Sequence, residues 1–157
     1  MQLERTKDFD LVKMVLTHPD IYRHLSDDGS PPREMYRPLV DDSIIYLAVY
    51  AGEPSLLMGV FSFVPSNRAT TEVHTSLLPH AWGTESRKAC AEAIQWVWEN
   101  THFLRIITSV PDYNALALKL AKDAGLIEYG RNPKSYLKNG KLFDQILLGV
   151  SKCPSQH

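Results

Sequence analysis

Residues Arg105–Leu126, RIITSVPDYNALALKLAKDAGL, read as a strand, a turn and a capped helix. The apolar run from Leu104 to Val110 has the length of a buried strand. Asp112 or Asn114 then takes the N-cap role for a helix that carries Leu116, Ala117, Leu120, Ala121 and Ala124, and Gly125 takes the C-cap role. Immediately upstream, Glu72–Thr101, EVHTSLLPHAWGTESRKACAEAIQWVWENT, has the same order of parts. A strand over Thr70–Leu78 alternates, with Thr71, Val73, Thr75 and Leu77 on one face and Glu72, His74 and Ser76 on the other. After the PHAWGT turn, Glu85–Asn100 sets Ala89, Ala93 and Val97 on one stripe beside Cys90 and Ile94, at helical spacing. A strand–helix–strand unit of this kind makes its two strands parallel, with a right-handed crossover.

The rest of the chain extends this unit on both sides. Gln2–Arg5 reads as a short edge strand, and Asp8 caps an amphipathic helix whose apolar face is Phe9, Val12, Val15 and Leu16. His18-Pro19 interrupts it, and a short second helix forms around Ile21, Tyr22 and Leu25. Ser26–Glu34, SDDGSPPRE, is a surface loop placed to border a substrate site. Strands over Ile44–Tyr50 and Leu56–Val64 flank the AGEP turn, and two final strands surround Asn139-Gly140, the dipeptide best suited to a type I′ hairpin. The expectation is one α+β domain over residues 1–157, a mixed sheet with helices on both faces.

Composition narrows the functional classes. The 157 residues carry a formal charge of -1, with 44% hydrophobic and 22% charged residues, and no Lys/Arg run marks a nucleic-acid or membrane footprint. The two cysteines, Cys90 and Cys153, lie far apart and outside any CxxC pattern, against a disulfide framework or a zinc site. Charges occupy the N-terminal segment where a secretory signal needs apolar residues, so a reducing cytoplasm is the expected compartment.

The order of elements, with the two quoted stretches, resembles the GCN5-related N-acetyltransferases (GNAT). In that family an Asn after the fifth strand opens a helix of the form N-x-x-A-x-x-L that ends in Gly plus an apolar residue. Here those are Asn114, Ala117, Leu120, Gly125 and Leu126. WVWENT together with VPDYNALAL is also similar to a divergent acetyltransferase-like group of tailed bacteriophages, for which the compartment would be the host cytoplasm. The resemblance implies acetyl-CoA as acyl donor, an amine as acceptor, no metal, and a homodimer as one option.

Physical chemistry supports an acyl-CoA site at the start of the Glu85–Asn100 helix. A helix N-terminus offers unpaired N–H groups and the positive end of a dipole to a pyrophosphate. The loop supplies His80, Trp82, Gly83, Thr84, Glu85, Ser86 and Arg87. Gly83 permits close approach or positive φ, and Arg87 with Lys88 opposes the dipole unless an anion binds or both are merely solvated. The family pattern here is Arg or Gln, two residues, Gly, one residue, then Gly or Ala. With Gly83 as anchor, His80 and Glu85 depart from it, and a register on Trp82-Gly83-Thr84 lacks the later glycines.

The chemistry needs a base for the amine, a donor for the thioester oxygen and a proton for the leaving thiolate. The resemblance assigns the donor to a backbone N–H at Leu77 or Leu78 and the pantetheine contact to Asn114. Glu72 and His74, two apart on one strand face, are the candidate bases, although a polar solvent-facing edge alternates in the same way. No third ligand accompanies them for a metal. The family's acid Tyr is replaced by Ala121, leaving Tyr113 and Tyr129 as substitutes. Two functions follow: an N-acetyltransferase for a small amine or a protein amino group, or a catalytically silent module of that fold serving in assembly, such as a virion's.

Overall fold

The computed structural model describes residues 1–153. Seven strands form one sheet: β1 (Gln2–Thr6), β2 (Ile45–Ala51), β3 (Leu56–Pro65), β4 (Thr70–Leu77), β5 (Arg105–Pro111), β6 (Ile127–Lys138) and β7 (Lys141–Ser151). Four helices accompany them: α1 (Phe9–Leu16), α2 (Pro19–Leu25), α3 (Thr84–Asn100) and α4 (Ala115–Asp123). The strand order is β1-β2-β3-β4-β5-β7-β6. Every neighbouring pair is antiparallel except β4 and β5, which the α3 crossover makes parallel. The expected mixed sheet with helices on both faces is what the chain forms.

Local sequence accounts for the element ends. The Asp8 carboxylate accepts the Leu11 N–H and starts α1, and the Asn114 side chain accepts the Ala117 N–H and starts α4, which settles the choice between Asp112 and Asn114. Gly125 ends α4 at φ 98°, and Asn139-Gly140 turns the β6–β7 hairpin with both φ values positive, the type I′ geometry. His18 caps α2 and Pro19 opens it.

The sheet's two faces carry separate cores. Helix α3 lays Ala89, Cys90, Ala93 and Val97 against Leu47, Val49, Phe61, Phe63, Leu77 and Ile106. Helix α4 sits on the same side, over Val110, Leu126, Ile146 and Leu148. Helices α1 and α2 cover the other face through Val12, Val15, Leu16 and Ile21 on Ile44, Tyr46 and Val60. Cys90 is free and buried within the α3 layer, where burial pushes its thiol up to about 12.

Candidate active site

Strands β4 and β5 share only the rungs Thr70–Arg105, Thr71–Ile106 and Glu72–Ile107. One position beyond the last rung, the Thr108 hydroxyl donates to the Val73 carbonyl at 3.1 Å and pins the fork. Past it the two strands run without mutual pairing, although β4 keeps its antiparallel ladder with β3 to Leu77 and β5 keeps its ladder with β7 to Pro111. Thr75 lies on the α3 side of β4 and is nevertheless exposed, because its neighbour strand has left. The result is a wedge-shaped gap in the middle of the sheet.

Ladder alternation tells which backbone groups face that gap. Leu78 follows the last residue of β4, and its N–H donates to the Met58 carbonyl at 2.8 Å, so its donor is used against β3. In an antiparallel pair the next residue points the other way. Leu77 therefore turns its N–H toward the gap, and its carbonyl accepts the Trp82 indole N–H at 2.8 Å. Of the two sequence candidates for a thioester-polarising donor, Leu77 has the N–H on the right side and Leu78 does not.

The loop after Leu78 leads to the start of α3. Gly83 stands at φ 96° and ψ -131°, in the N-cap position, and no side chain caps the helix. That conformation demands glycine. A Cβ there would meet nothing within 4 Å, so the requirement is conformational rather than steric. The first-turn N–H groups of Thr84 and Glu85 have no intrahelical acceptor, whereas those of Ser86 and Arg87 reach the Gly83 carbonyl. The buried Ser86 hydroxyl also returns to Gly83 O at 2.6 Å, and its side chain is thereby committed to the helix. His80 Nε2 bonds the Leu57 carbonyl at 2.9 Å, which ties the loop to β3 and leaves Nδ1 as its other polar atom. Glu85, Arg87 and Lys88 are exposed, and neither cation forms an ion pair among the described residues. The Trp82 ring, held by its N–H, remains half exposed beside the gap.

Glu72 and His74 stand at the fork on the α1/α2 face, with Glu72 Oε1 3.6 Å from His74 Nε2 and both side chains partly accessible. Ser76, next along that face, is buried, so the face is not a uniform solvent-facing edge. Asn114 caps α4 at the open end of β5; among the described residues only its Oδ1 is engaged, by Ala117 at 3.2 Å, and Nδ2 is unpartnered.

The two tyrosines separate. Tyr113 follows β5 directly, at the open end of the gap, with its ring 4.6 Å from that of Phe143 and 6.4 Å from that of Tyr136. Burial holds the Tyr113 phenol above its ordinary value, with the neighbouring Tyr136 hydroxyl pulling the other way. Tyr136 itself is pushed up to about 12, chiefly by burial. Tyr129 lies on the outer strand β6, with β7 between it and β5, and the Arg105 guanidinium sits 5.2 Å from its ring centroid. Its register, beside Leu147 and Leu148, sets it level with the middle of β5 and not at the open end where Tyr113 stands.

Two further features were not legible beforehand. Thr108 reads as an ordinary strand residue until the fork is seen. The β6–β7 hairpin was signalled by Asn139-Gly140, but nothing local says that it folds back onto Ser26–Asp28. It does so through Asp28, whose carboxylate accepts both the Asn139 and Gly140 N–H groups at 2.8 Å, and through the Tyr136 hydroxyl and Lys138 ammonium, which donate to the Ser26 carbonyl.

No protein-family model matches the chain, and no curated protein matches it in sequence. Solved structures match its fold. The spermidine N-acetyltransferase of Vibrio cholerae, in complex with CoA and spermine, superposes with a TM-score of 0.78 at 15% identity, over 96% of this chain and 94% of that one. The ribosomal-protein-S5-alanine acetyltransferase of Vibrio fischeri gives 0.75 at 16% identity, over 96% and 92%. At such identities the likeness is one of fold, and the fold is GNAT-like.

Proposed function

We propose that the chain is an N-acetyltransferase that moves an acetyl group from acetyl-CoA to the amine of a small molecule or a protein. The observation that carries this reading is the parting of β4 from β5 after Glu72, beside a 17-residue helix that no side chain caps. The gap suits the pantetheine arm, and the Thr84 and Glu85 N–H groups suit its pyrophosphate. Arg87 and Lys88 add positive charge at that end of α3, and the exposed Glu85 carboxylate is free to point away. Asn114 Nδ2 is left to donate to the peptide-like arm.

Each chemical role then falls to a residue at the gap. Glu72, with His74 as its neighbour and alternate, takes the proton that the acceptor amine loses as its nitrogen bonds to the acetyl carbon. The Leu77 N–H stabilises the negative charge that grows on the thioester oxygen. Tyr113 gives its proton to the sulfur as the carbon–sulfur bond breaks, and its raised pKa keeps that proton in place at neutral pH. Tyr129 has no part. A reducing cytoplasm, the host's if the chain is phage-encoded, suits a protein with free Cys90 and Cys153.

The second reading is a silent assembly module, favoured by Ala121 at the family's acid position and by the departures at His80 and Glu85. Calorimetric titration with acetyl-CoA separates them. Micromolar binding supports the enzyme, and no heat at millimolar ligand removes it in favour of the module.

A further inference from the structure

A second cavity, of ≈ 720 Å³, opens between the C-terminal end of α2 and the β6–β7 hairpin, and Tyr113 forms part of its wall. Its volume falls within the range of about 300–1,000 Å³ usual for small-molecule sites. Helix α2 packs on the face of the sheet that carries Glu72 and His74, and Tyr113 stands at the open end of the gap. Tyr113 is thus common to the cavity wall and to the open end of the gap.

The lining has one sign. Arg23, His24, Lys138 and Lys141 contribute to it, Tyr113 and Phe143 form its apolar part, and among the described residues no aspartate or glutamate lines it. The nearby carboxylates lie outside the lining, and Asp28 is close enough to feel the Lys138 charge. Asp20 pairs with Arg23 at 3.1 Å, Asp27 accepts from Gly29 and Ser30 of its own turn, and Asp28 is taken by the two hairpin N–H groups. Lys138 donates to the Arg23 and Ser26 carbonyls, which hold it in place without cancelling its charge. Lys141 lies 5.1 Å from the Phe143 ring centroid, and the Arg23 side chain is 60% accessible despite its ion pair. The field is felt locally: burial, and then the Arg23 and Lys138 charges, hold His24 below its ordinary value.

We infer that this cavity holds the non-reacting end of the acceptor, and that the acceptor is an amine bearing a carboxylate or phosphate group rather than a polyamine. The inference rests on the acetyltransferase reading. In the lining a polycation would meet three like charges, one of them offset by Asp20, and no carboxylate, whereas an anion meets guanidinium and ammonium groups over an aromatic floor. The contrast is with the superposed Vibrio cholerae enzyme, whose complex contains spermine.

The test reads binding without turnover. The full chain, ¹⁵N-labelled, is titrated separately with L-phenylalanine, O-phosphoethanolamine and spermidine while the Asn139, Gly140 and Lys141 amide signals are followed. At least one anionic amine should shift them saturably, and which one distinguishes a carboxylate from a phosphate ligand. Spermidine should leave them in place. Lys141→Glu and, separately, Arg23→Gln should each weaken that binding about tenfold or more, as loss of a charge-assisted contact does. Both positions are exposed, so unchanged melting would accompany the loss. Saturable spermidine shifts with none from either anionic amine would overturn the inference, as would unchanged affinity in both variants. Anionic-amine shifts in a protein that fails to bind acetyl-CoA would keep the anionic site and remove acetyl transfer. Acetyl-CoA binding with spermidine seated at these amides would do the reverse.

Discussion

Asn114 carries a capping oxygen and a spare amide donor, which a single atom change can separate. Its Oδ1 caps α4 and its Nδ2 is left over. Asp is as good an N-cap as Asn but lacks the amide donor, so Asn114→Asp should melt like wild type while Asn114→Ala loses about 1 kcal/mol of stability. Both should bind acetyl-CoA more weakly than wild type, with a smaller loss for 3′,5′-ADP, which lacks the pantetheine arm. Equal losses for the two ligands would reduce Asn114 to a cap. At the fork, Glu72→Gln should lower kcat/KM by about a hundredfold, the usual scale for a lost general base, with acetyl-CoA affinity unchanged by calorimetry. A smaller loss is expected for His74→Gln, and unchanged turnover in the double variant would remove both from the mechanism. These residues were legible in the sequence because cap position and strand alternation are local rules. Tyr113 and Tyr129 looked equivalent there, since each flanks α4, and only the strand order sends Tyr129 to the sheet edge, beyond β7.

Among the elements, β4 is held in place by a glycine on one side and a hydroxyl on the other. A Cβ at Gly59 would lie 2.3 Å from the Ser76 carbonyl oxygen and 2.7 Å from Leu77 Cα, backbone atoms that cannot step aside cheaply. Gly59→Ala should therefore destabilise by about 1–3 kcal/mol and disturb the Leu77 N–H that faces the gap. Denaturant melts and acetyl-CoA titration would register the two effects. On the other flank, Thr108→Val removes the bond to Val73, at an expected cost of about 1 kcal/mol. The strand–helix–strand–helix order was readable because periodicity, caps and the Asn139-Gly140 turn all pointed the same way. How far β4 and β5 stay paired was not, since both stretches read as strand past their last shared rung and the separation is imposed by their other neighbours, β3 and β7.

On the scale of the whole molecule, the loop after α2 and the final hairpin are clasped by the Asp28 carboxylate. The Gly140 and Asn139 N–H groups hold this carboxyl below its ordinary pKa. A group whose folded-state pKa is depressed contributes stability above its unfolded value and loses it as pH falls through the folded one. The melting difference between wild type and Asp28→Ala should thus be widest near neutral pH and close in acid; a difference that grows on acidification would contradict the clasp. The bond partners here are remote in sequence: Lys138 reaches the Arg23 carbonyl across 115 positions. During synthesis the α2 wall leaves the ribosome long before its opposite wall exists. Helix α3 can form earlier, but the fork needs β7 beside β5 and the cationic cavity needs Lys138 and Lys141, so both are completed only when the last hairpin docks. A nascent or clipped chain that stops short of Lys138 has no β7 to hold β5 at the fork and no second wall for the cavity, so the gap and the cavity arrive together and last.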